Sequence, residues 1–240
     1  MINIKNIINT FRELGVLNGF LYLAARSFNC CNNRCNLFKY YLVAQPVCET
    51  ARLSGQRGKS IVVRRVEHKD AALKQMSRPV KTIEQRFAQG SICLGAFKGS
   101  ELAGYMWLHF SAYPEDEVRC LFAPEPESDT AWDFDIHIFP KYRLGYTFSR
   151  LWDEADALLR ARNIRWTMSR ISAFNSASLA SHLRMGLKSI GSAIYIVGFQ
   201  YQLMLATIPP YLHFSSTPGS YPTLRLRAPG QAQHDCSHEE

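Results

Sequence analysis

The pattern of apolar and polar positions is most regular between residues 131 and 187. Residues 132–139 alternate between apolar and polar, which predicts a strand with one buried face. A short basic turn, 141–147, precedes a segment in which apolar side chains recur at helical spacing. A second strand is predicted at 164–171, followed by a helix over 175–186. The order strand, turn, helix, strand, helix predicts a βαβ unit.

Further segments extend this unit into a larger sheet. Residues 61–66 are rich in β-branched side chains, 92–110 have the pattern of a β-hairpin, and 190–207 suit two neighbouring strands. Helical spacing within 69–89 predicts a helix that a proline interrupts, whereas 122–130 have the composition of a loop.

Composition divides the chain into three parts. Residues 1–58 carry two apolar stretches and predict a helical N-terminal extension, either packed on the main domain or lying on an anionic membrane surface. Residues 59–212 contain the predicted α/β domain. Residues 213–240 have few large apolar side chains, which predicts a disordered tail.

The charge of the chain narrows the classes of partner. A formal net charge of +8 favours anionic partners such as phosphorylated cofactors, acidic carrier proteins or lipid headgroups. No long basic run is present, so charge alone does not favour nucleic acid. Nothing in the pattern decides the oligomeric state, and a homodimer stays open.

The cysteines indicate a reducing compartment. Seven are scattered without a regular framework, which predicts free thiols and a cytoplasmic location, with peripheral membrane attachment left open. They lack a second CxxC or a histidine pair at zinc spacing, so no metal site is predicted. The apolar run 16–25 is too short to span a bilayer.

The alternating strand carries candidate chemistry. Regular alternation places Asp133, Asp135 and His137 on one face. Such side chains are costly to bury without a purpose, although they could also face solvent. The turn that follows carries Arg143 at the start of a helix, where backbone N–H groups and the helix dipole favour a phosphate.

The last helix offers a second group of polar side chains. Asn175, Ser178 and His182 lie on one helical face, and the opposite side, which includes Leu183, is expected to be buried. Asn175 is also a candidate N-cap, a role that needs no ligand.

These motifs resemble the acetyl-CoA-binding core of the GNAT N-acetyltransferase superfamily. The order strand, Pro, Arg turn, helix, strand, Asn, helix, Gly is shared, and the similarity spans residues 60–207. The family pattern N-x-x-A-x-x-x-Y-x-x-x-G-F is matched in its spacing by Asn175, Ser178, His182, Gly186 and Leu187. The hairpin 92–110 resembles the central hairpin of the family.

The resemblance implies a fold and a cofactor site. The expected fold is α/β of the mixed α+β kind: a GNAT-like, mostly antiparallel sheet of six to seven strands with a splayed parallel pair, flanked by helices. The expected co-substrate is acetyl-CoA or another acyl-CoA. Its expected contacts are Ile138, Phe139, Arg143, Leu144, Gly145, Tyr146, Thr147, Phe148, Asn175 and Ser178.

The resemblance also implies a mechanism, in which the amine of a small molecule or an amino sugar attacks the thioester directly. Asp135 is the first candidate for the base, with Glu117 and His137 as alternatives. His182 stands where the family has a tyrosine acid, and Thr147 stands where a second small residue is usual. Two alternatives remain: an acyl donor carried on an acidic carrier protein, and a non-catalytic CoA-binding module.

Overall fold

The structure, a computed structural model, describes residues 4–32 and 35–230. The helices are α1 (Ile4–Asn32), α2 (Val80–Ala88), α3 (Thr147–Arg160) and α4 (Ser176–Arg184), with two 3-10 helices at Ala71–Gln75 and Pro140–Tyr142. The strands are β1 (Cys35–Pro46), β2 (Ile61–Val66), β3 (Ile92–Lys98), β4 (Glu101–His109), β5 (Tyr113–Pro114), β6 (Leu121–Glu125), β7 (Thr130–Ile138), β8 (Trp166–Ser172), β9 (Lys188–Gly198), β10 (Tyr201–Ala206), β11 (Leu212–Ser215) and β12 (Thr223–Arg227).

Two units alternate along the chain. The first unit comprises residues 46–112 and 124–168, and the second comprises the described residues of 1–45, 113–123 and 169–240. Strand β8 begins in the first unit and ends in the second.

The first unit contains a mixed sheet with the strand order β8-β7-β4-β3-β2. Neighbours are antiparallel except β7 and β8, which pair in parallel from Thr130↔Trp166 to Trp132↔Met168. Helix α3 packs against β2, β3, β4 and β7. Its helical apolar spacing explains that packing, because Leu151 and Trp152 both lie on the buried side. The predicted hairpin, parallel pair and amphipathic helix are therefore confirmed.

The second unit contains the antiparallel strand order β11-β10-β9-β1, with the end of β8 beside β1, and a small sheet β12-β6-β5. Helix α1 kinks at Gly15, whose φ is +77°. Beyond the kink, the Asn18 side chain donates a hydrogen bond to the Tyr41 hydroxyl and accepts one from Lys39, so α1 contacts β1.

Three segments differ from the sequence-based expectations. The extension 1–58 is not helical throughout, because β1 follows α1. Most of β1 is buried, so its apolar positions form a nearly continuous run without a strand period. In the segment 122–130, β6 replaces part of the expected loop. The tail contributes β12, where Leu224 and Leu226 are fully buried; residues 231–240 lie outside the described part of the chain.

The number of strands also differs from the expected six to seven. The first unit has five strands in its sheet, and the larger sheet of the second unit has four strands together with the end of β8. Among the described residues, no helix has both the length and the apolar character that a membrane crossing requires. Cys35, Cys48, Cys93 and Cys120 are free thiols.

Candidate functional site

Strand β7 contains a bulge that changes which side chains share a face. Trp107 of β4 pairs with Phe134 and Tyr105 pairs with His137, so Asp135 and its neighbour oppose one residue of β4. Asp135 has a φ of +48°, in the left-handed region. Directly paired residues point to the same side of a sheet. His137 therefore shares a face with Phe134, and the prediction that regular alternation places it with Asp133 is wrong.

The Asp135 carboxylate is held by two arginines of the first unit. Arg78 donates to both carboxylate oxygens, and Arg86 Nη1 donates to Oδ2 at 2.6 Å. Burial opposes ionisation of this carboxyl group, but the hydrogen bonds from the two arginines outweigh burial and hold its pKa below the usual value. A carboxylate stabilised in this way is a weak base, although it was the first candidate for that role.

His137 has a different environment at the end of the same strand. Its ring stacks on Tyr105, with 5.3 Å between ring centroids, and meets the edge of Phe139 at 5.0 Å. Burial lowers the pKa of the imidazole below 6.5. Smaller effects come from the Asp135 carboxylate, which raises the pKa, and from Arg143 and Arg78, which lower it. The ring is therefore mostly neutral at pH 7 and can accept a proton.

The turn after β7 leads directly into the N-terminus of α3. Arg143 Nε donates to the Ile138 carbonyl oxygen at 3.1 Å, which ties the turn to the end of the strand. Tyr146 is the N-cap of α3 and gives no side-chain hydrogen bond. The first N–H groups of a helix have no intrahelical acceptor, so the start of this 14-residue helix keeps donors for a ligand. The predicted contact residues Leu144, Gly145 and Tyr146 are exposed, whereas Thr147 is buried.

Two glycines shape this region in different ways. A Cβ added at Gly104 would lie 2.8 Å from the His137 carbonyl oxygen and 3.3 Å from Thr147 Cγ2, so β4, β7 and the start of α3 approach closely there. A Cβ at Gly145 would meet only the Tyr142 carbonyl oxygen, at 3.6 Å. A side chain at position 145 therefore fits the fold and would fill the space in front of the helix terminus.

The predicted residues of α4 belong to the second unit. Asn175 is the N-cap, and its side chain accepts a hydrogen bond from the Ser178 amide at 3.0 Å. His182 is 3% exposed and is the buried residue of the helix, whereas Leu183 is 55% exposed. The prediction that the Leu183 side is buried is therefore wrong, because α4 packs through its histidine face.

Glu117, also in the second unit, has one carboxylate oxygen fully engaged. Its Oε2 accepts from the Tyr40 hydroxyl at 2.8 Å and from Arg170 Nη2 at 2.7 Å. The same arginine nitrogen donates to Glu115 at 2.8 Å, and the guanidinium lies 4.2 Å over the Tyr40 ring. Burial raises the pKa of Tyr40, so its hydroxyl stays protonated and donates.

Sequence reasoning missed the partners of these acids. Arg78 lies 57 residues from Asp135, and Tyr40 lies 77 residues from Glu117, so no local pattern joins them. A local signal is present at Asp133 and Asp135, two acids on the otherwise apolar strand β7. No group of His, Cys, Asp or Glu side chains that could hold a metal ion occurs in the described residues.

The first unit thus defines a mixed α/β domain in which a bulged strand runs through a basic turn into an uncapped helix. No family model matches the chain, and no curated protein matches it. A functionally unknown conserved protein from Staphylococcus epidermidis is similar over 74% of this chain and 66% of its own, with 11% identity and a TM-score of 0.50.

Of two further solved structures, one is named as a GNAT protein and the other as a GCN5-related N-acetyltransferase region. The similarity to a tandem GNAT protein from the clavulanic acid biosynthesis pathway covers 68% of this chain and 55% of that protein. The sequence identity is 11% and the TM-score is 0.43. The similarity to a GCN5-related glucosamine N-acetyltransferase region of a fungal β-N-acetylglucosaminidase covers 73% of this chain and 22% of that protein. The sequence identity is 14% and the TM-score is 0.44. The chain spans at most 66% of the length of these proteins. Identities this low concern the fold alone, and the expected mixed α/β fold with a sheet flanked by helices is confirmed by the architecture itself.

Proposed function

We propose that the chain is an acyl-CoA-dependent N-acyltransferase that moves an acetyl group from acetyl-CoA to the amine of a small molecule or an amino sugar. The observation that carries this proposal is the passage from the bulged β7 into the uncapped N-terminus of α3. The free donors at this terminus, with Arg143 beside them, suit a diphosphate. The cytoplasmic location remains a prediction.

The predicted residues of β7, the turn and α3 have roles in this proposal. The diphosphate is bound by amides among residues 143–148, and the pantetheine arm lies along Ile138 and Phe139. The acceptor nitrogen attacks the thioester carbonyl, the C–S bond breaks, and the amine loses a proton to His137. The departing thiolate takes a proton from solvent. We favour His137 as the base because arginines hold both Asp135 and Glu117.

One alternative keeps the reaction and changes the donor. The net charge of +8 also suits an acidic acyl carrier protein. Turnover with an acyl carrier protein, but not with acetyl-CoA, would establish it. The other alternative, a non-catalytic CoA-binding module, is supported by the replacement of the family's tyrosine by His182, and it predicts acetyl-CoA binding without transfer to any amine.

The first experiment tests the cofactor site. We expect Gly145→Trp to abolish acetyl-CoA binding in calorimetry, because the indole would occupy the space in front of α3 while the backbone stays unstrained. Gly219→Trp is the matched control, since a Cβ there meets nothing within 4 Å. Unchanged acetyl-CoA affinity in the Gly145→Trp protein would rule out this site.

A further inference from the structure

One face of the strands β9, β10 and β11, all in the second unit, is apolar and exposed. Cross-strand pairing fixes which side chains share this face, because Ile196 lies opposite Leu203 and Leu203 lies opposite Phe214. The Tyr201 ring stacks on Phe214 with 5.8 Å between ring centroids. We call the apolar side chains on this side of the three strands the apolar sheet face: Ile194, Ile196, Tyr201, Leu203, Leu205, Leu212 and Phe214.

The opposite side of the same strands belongs to the core of the second unit. Tyr195 and Met204 are fully buried there, and Gln202 exchanges two hydrogen bonds with the backbone of Arg119, at 2.8 and 2.7 Å. A sheet that is packed on one side usually has polar side chains on its solvated side. Here the solvated side is apolar, and five of its members are 38% to 62% exposed: Ile196, Tyr201, Leu205, Leu212 and Phe214.

Helix α1 covers the neighbouring part of this side of the sheet. Lys39 of β1 lies opposite Ile194 of β9, and its ammonium group donates a hydrogen bond to the Asn18 side chain of α1 at 2.8 Å. The order β11-β10-β9-β1 places β10 and β11 farther from this contact, and their apolar side chains stay exposed. An apolar surface of this kind marks a contact with another molecule.

The distribution of charge favours a second copy of the chain as that molecule. Residues 189–224 contain no Asp, Glu, Lys or Arg, although 20% of the whole chain is charged. A surface that docks on an anionic membrane combines apolar side chains with Lys and Arg, and this segment has neither cation. Two copies that each carry a net charge of +8 repel one another, so an uncharged surface is where they can approach most closely.

The area of the apolar sheet face is sufficient for a stable dimer. A large apolar side chain that is half exposed leaves on the order of 100 Å² accessible, so the five exposed members offer roughly 500 Å². A standard interface buries about 800 Å² on each partner, of which about 60% is apolar, so it needs roughly 500 Å² of apolar surface. The two areas agree.

We propose that the apolar sheet face binds the same face of a second copy, so that two sheets pack face to face across a two-fold axis. Such a contact uses the same surface on both subunits, which covers the apolar side chains of both copies and closes the assembly at two chains. Dimer formation does not rest on acyl transfer.

Sedimentation velocity over a range of concentrations tests the dimer on the full-length chain. We expect a wild-type species of twice the 27.4 kDa chain mass. Leu212→Glu should raise the Kd of the dimer by about 100-fold, because the contact would bury an unpaired charge. Leu212→Thr keeps a good strand former and should raise the Kd by about tenfold.

The matched control is Val62→Glu, at a side chain that is 60% exposed on β2, which, like β11, ends the order of its sheet. It should form the dimer as the wild type does. Gly145→Trp separates this inference from the proposed function, because it should lose acetyl-CoA binding and remain dimeric.

Four outcomes would overturn the inference. The first is a wild type that is monomeric up to about 100 μM. The second is an unchanged Kd in both Leu212 variants, and the third is equal weakening by Val62→Glu. The fourth is a monomeric wild type that binds anionic vesicles and loses that binding in Leu212→Glu, which would assign the apolar sheet face to a membrane.

Discussion

The ion pairs of Asp135 show how a single residue in an unfavourable conformation is maintained. Its φ of +48° carries strain, and its buried carboxylate balances Arg86, whose side chain is 4% exposed. Asp135→Asn keeps the shape but leaves the guanidinium without its counter-ion. We expect the free energy of unfolding to fall by about 3 kcal/mol in chemical denaturation. Glu67→Gln, which removes an exposed ion pair with Arg65, should change it by less than about 1 kcal/mol.

The pH dependence of this difference has a defined sign. The folded-state pKa of Asp135 is lowered, so the stabilisation is complete above the unfolded-state pKa of about 3.9 and is lost as the pH falls through the folded-state value. The difference in the free energy of unfolding between the wild type and Asp135→Asn should therefore be largest at pH 7 and should decrease below about pH 4. A difference in the free energy of unfolding that stays constant under acid conditions would contradict the prediction that Asp135 is ionised in the folded protein.

His137 is the residue at which the proposed chemistry can be measured directly. Burial lowers its pKa, so kcat/KM should rise with pH to a plateau through an apparent pKa below 6.5. His137→Gln should remove this limb and lower kcat/KM by about 100-fold. His213→Gln serves as the control and should leave the profile intact. A profile that keeps its acid limb in His137→Gln would exclude this imidazole as the base.

Among the elements, α1 has an apolar surface that its packing leaves exposed. Val16, Leu17 and Phe20 are 69%, 65% and 62% exposed, while Asn18 contacts β1. Such a surface fits the predicted contact with an anionic membrane. The double variant Leu17→Glu/Phe20→Glu should sediment less with anionic vesicles than the wild type.

The matched control for this experiment is Val80→Glu, at an apolar side chain of α2 that is 71% exposed. It should leave vesicle binding unchanged, and equal sedimentation of all three proteins would exclude a membrane role for α1. Deletion of residues 1–58 is a poorer test, because it also removes β1 and its pairing with β9.

The elements that could be predicted from sequence are those with a clear period. Helix α3 buries one stripe, and the hairpin β3–β4 and strand β7 are bounded by turn residues. Strand β1 lacked such a signal because it is buried on both faces. The bulge in β7 could not be foreseen, since it depends on how β4 pairs with it, and it reverses the side of the sheet on which His137 lies.

At the scale of the whole molecule, the sequence predicts the net charge better than it predicts where the charged side chains meet in the fold. The net charge of +8 was evident, but the pairing of Glu115 and Glu117 with Arg170 depends on segments that only the fold brings together. The order of segments allowed the mixed α/β fold and its parallel strand pair to be predicted. The candidate site was predicted in part: the turn and α3 were found, whereas the arginines that hold Asp135 and Glu117 required long-range contacts.

The interleaving of the two units has a consequence for how the chain folds during synthesis. The first unit has all its residues once position 168 has been made. Strand β1 emerges from the ribosome long before that point, yet its hydrogen-bonding partner β9 begins only at Lys188. Strand β1 therefore remains without its β9 partner until most of the polypeptide has been translated.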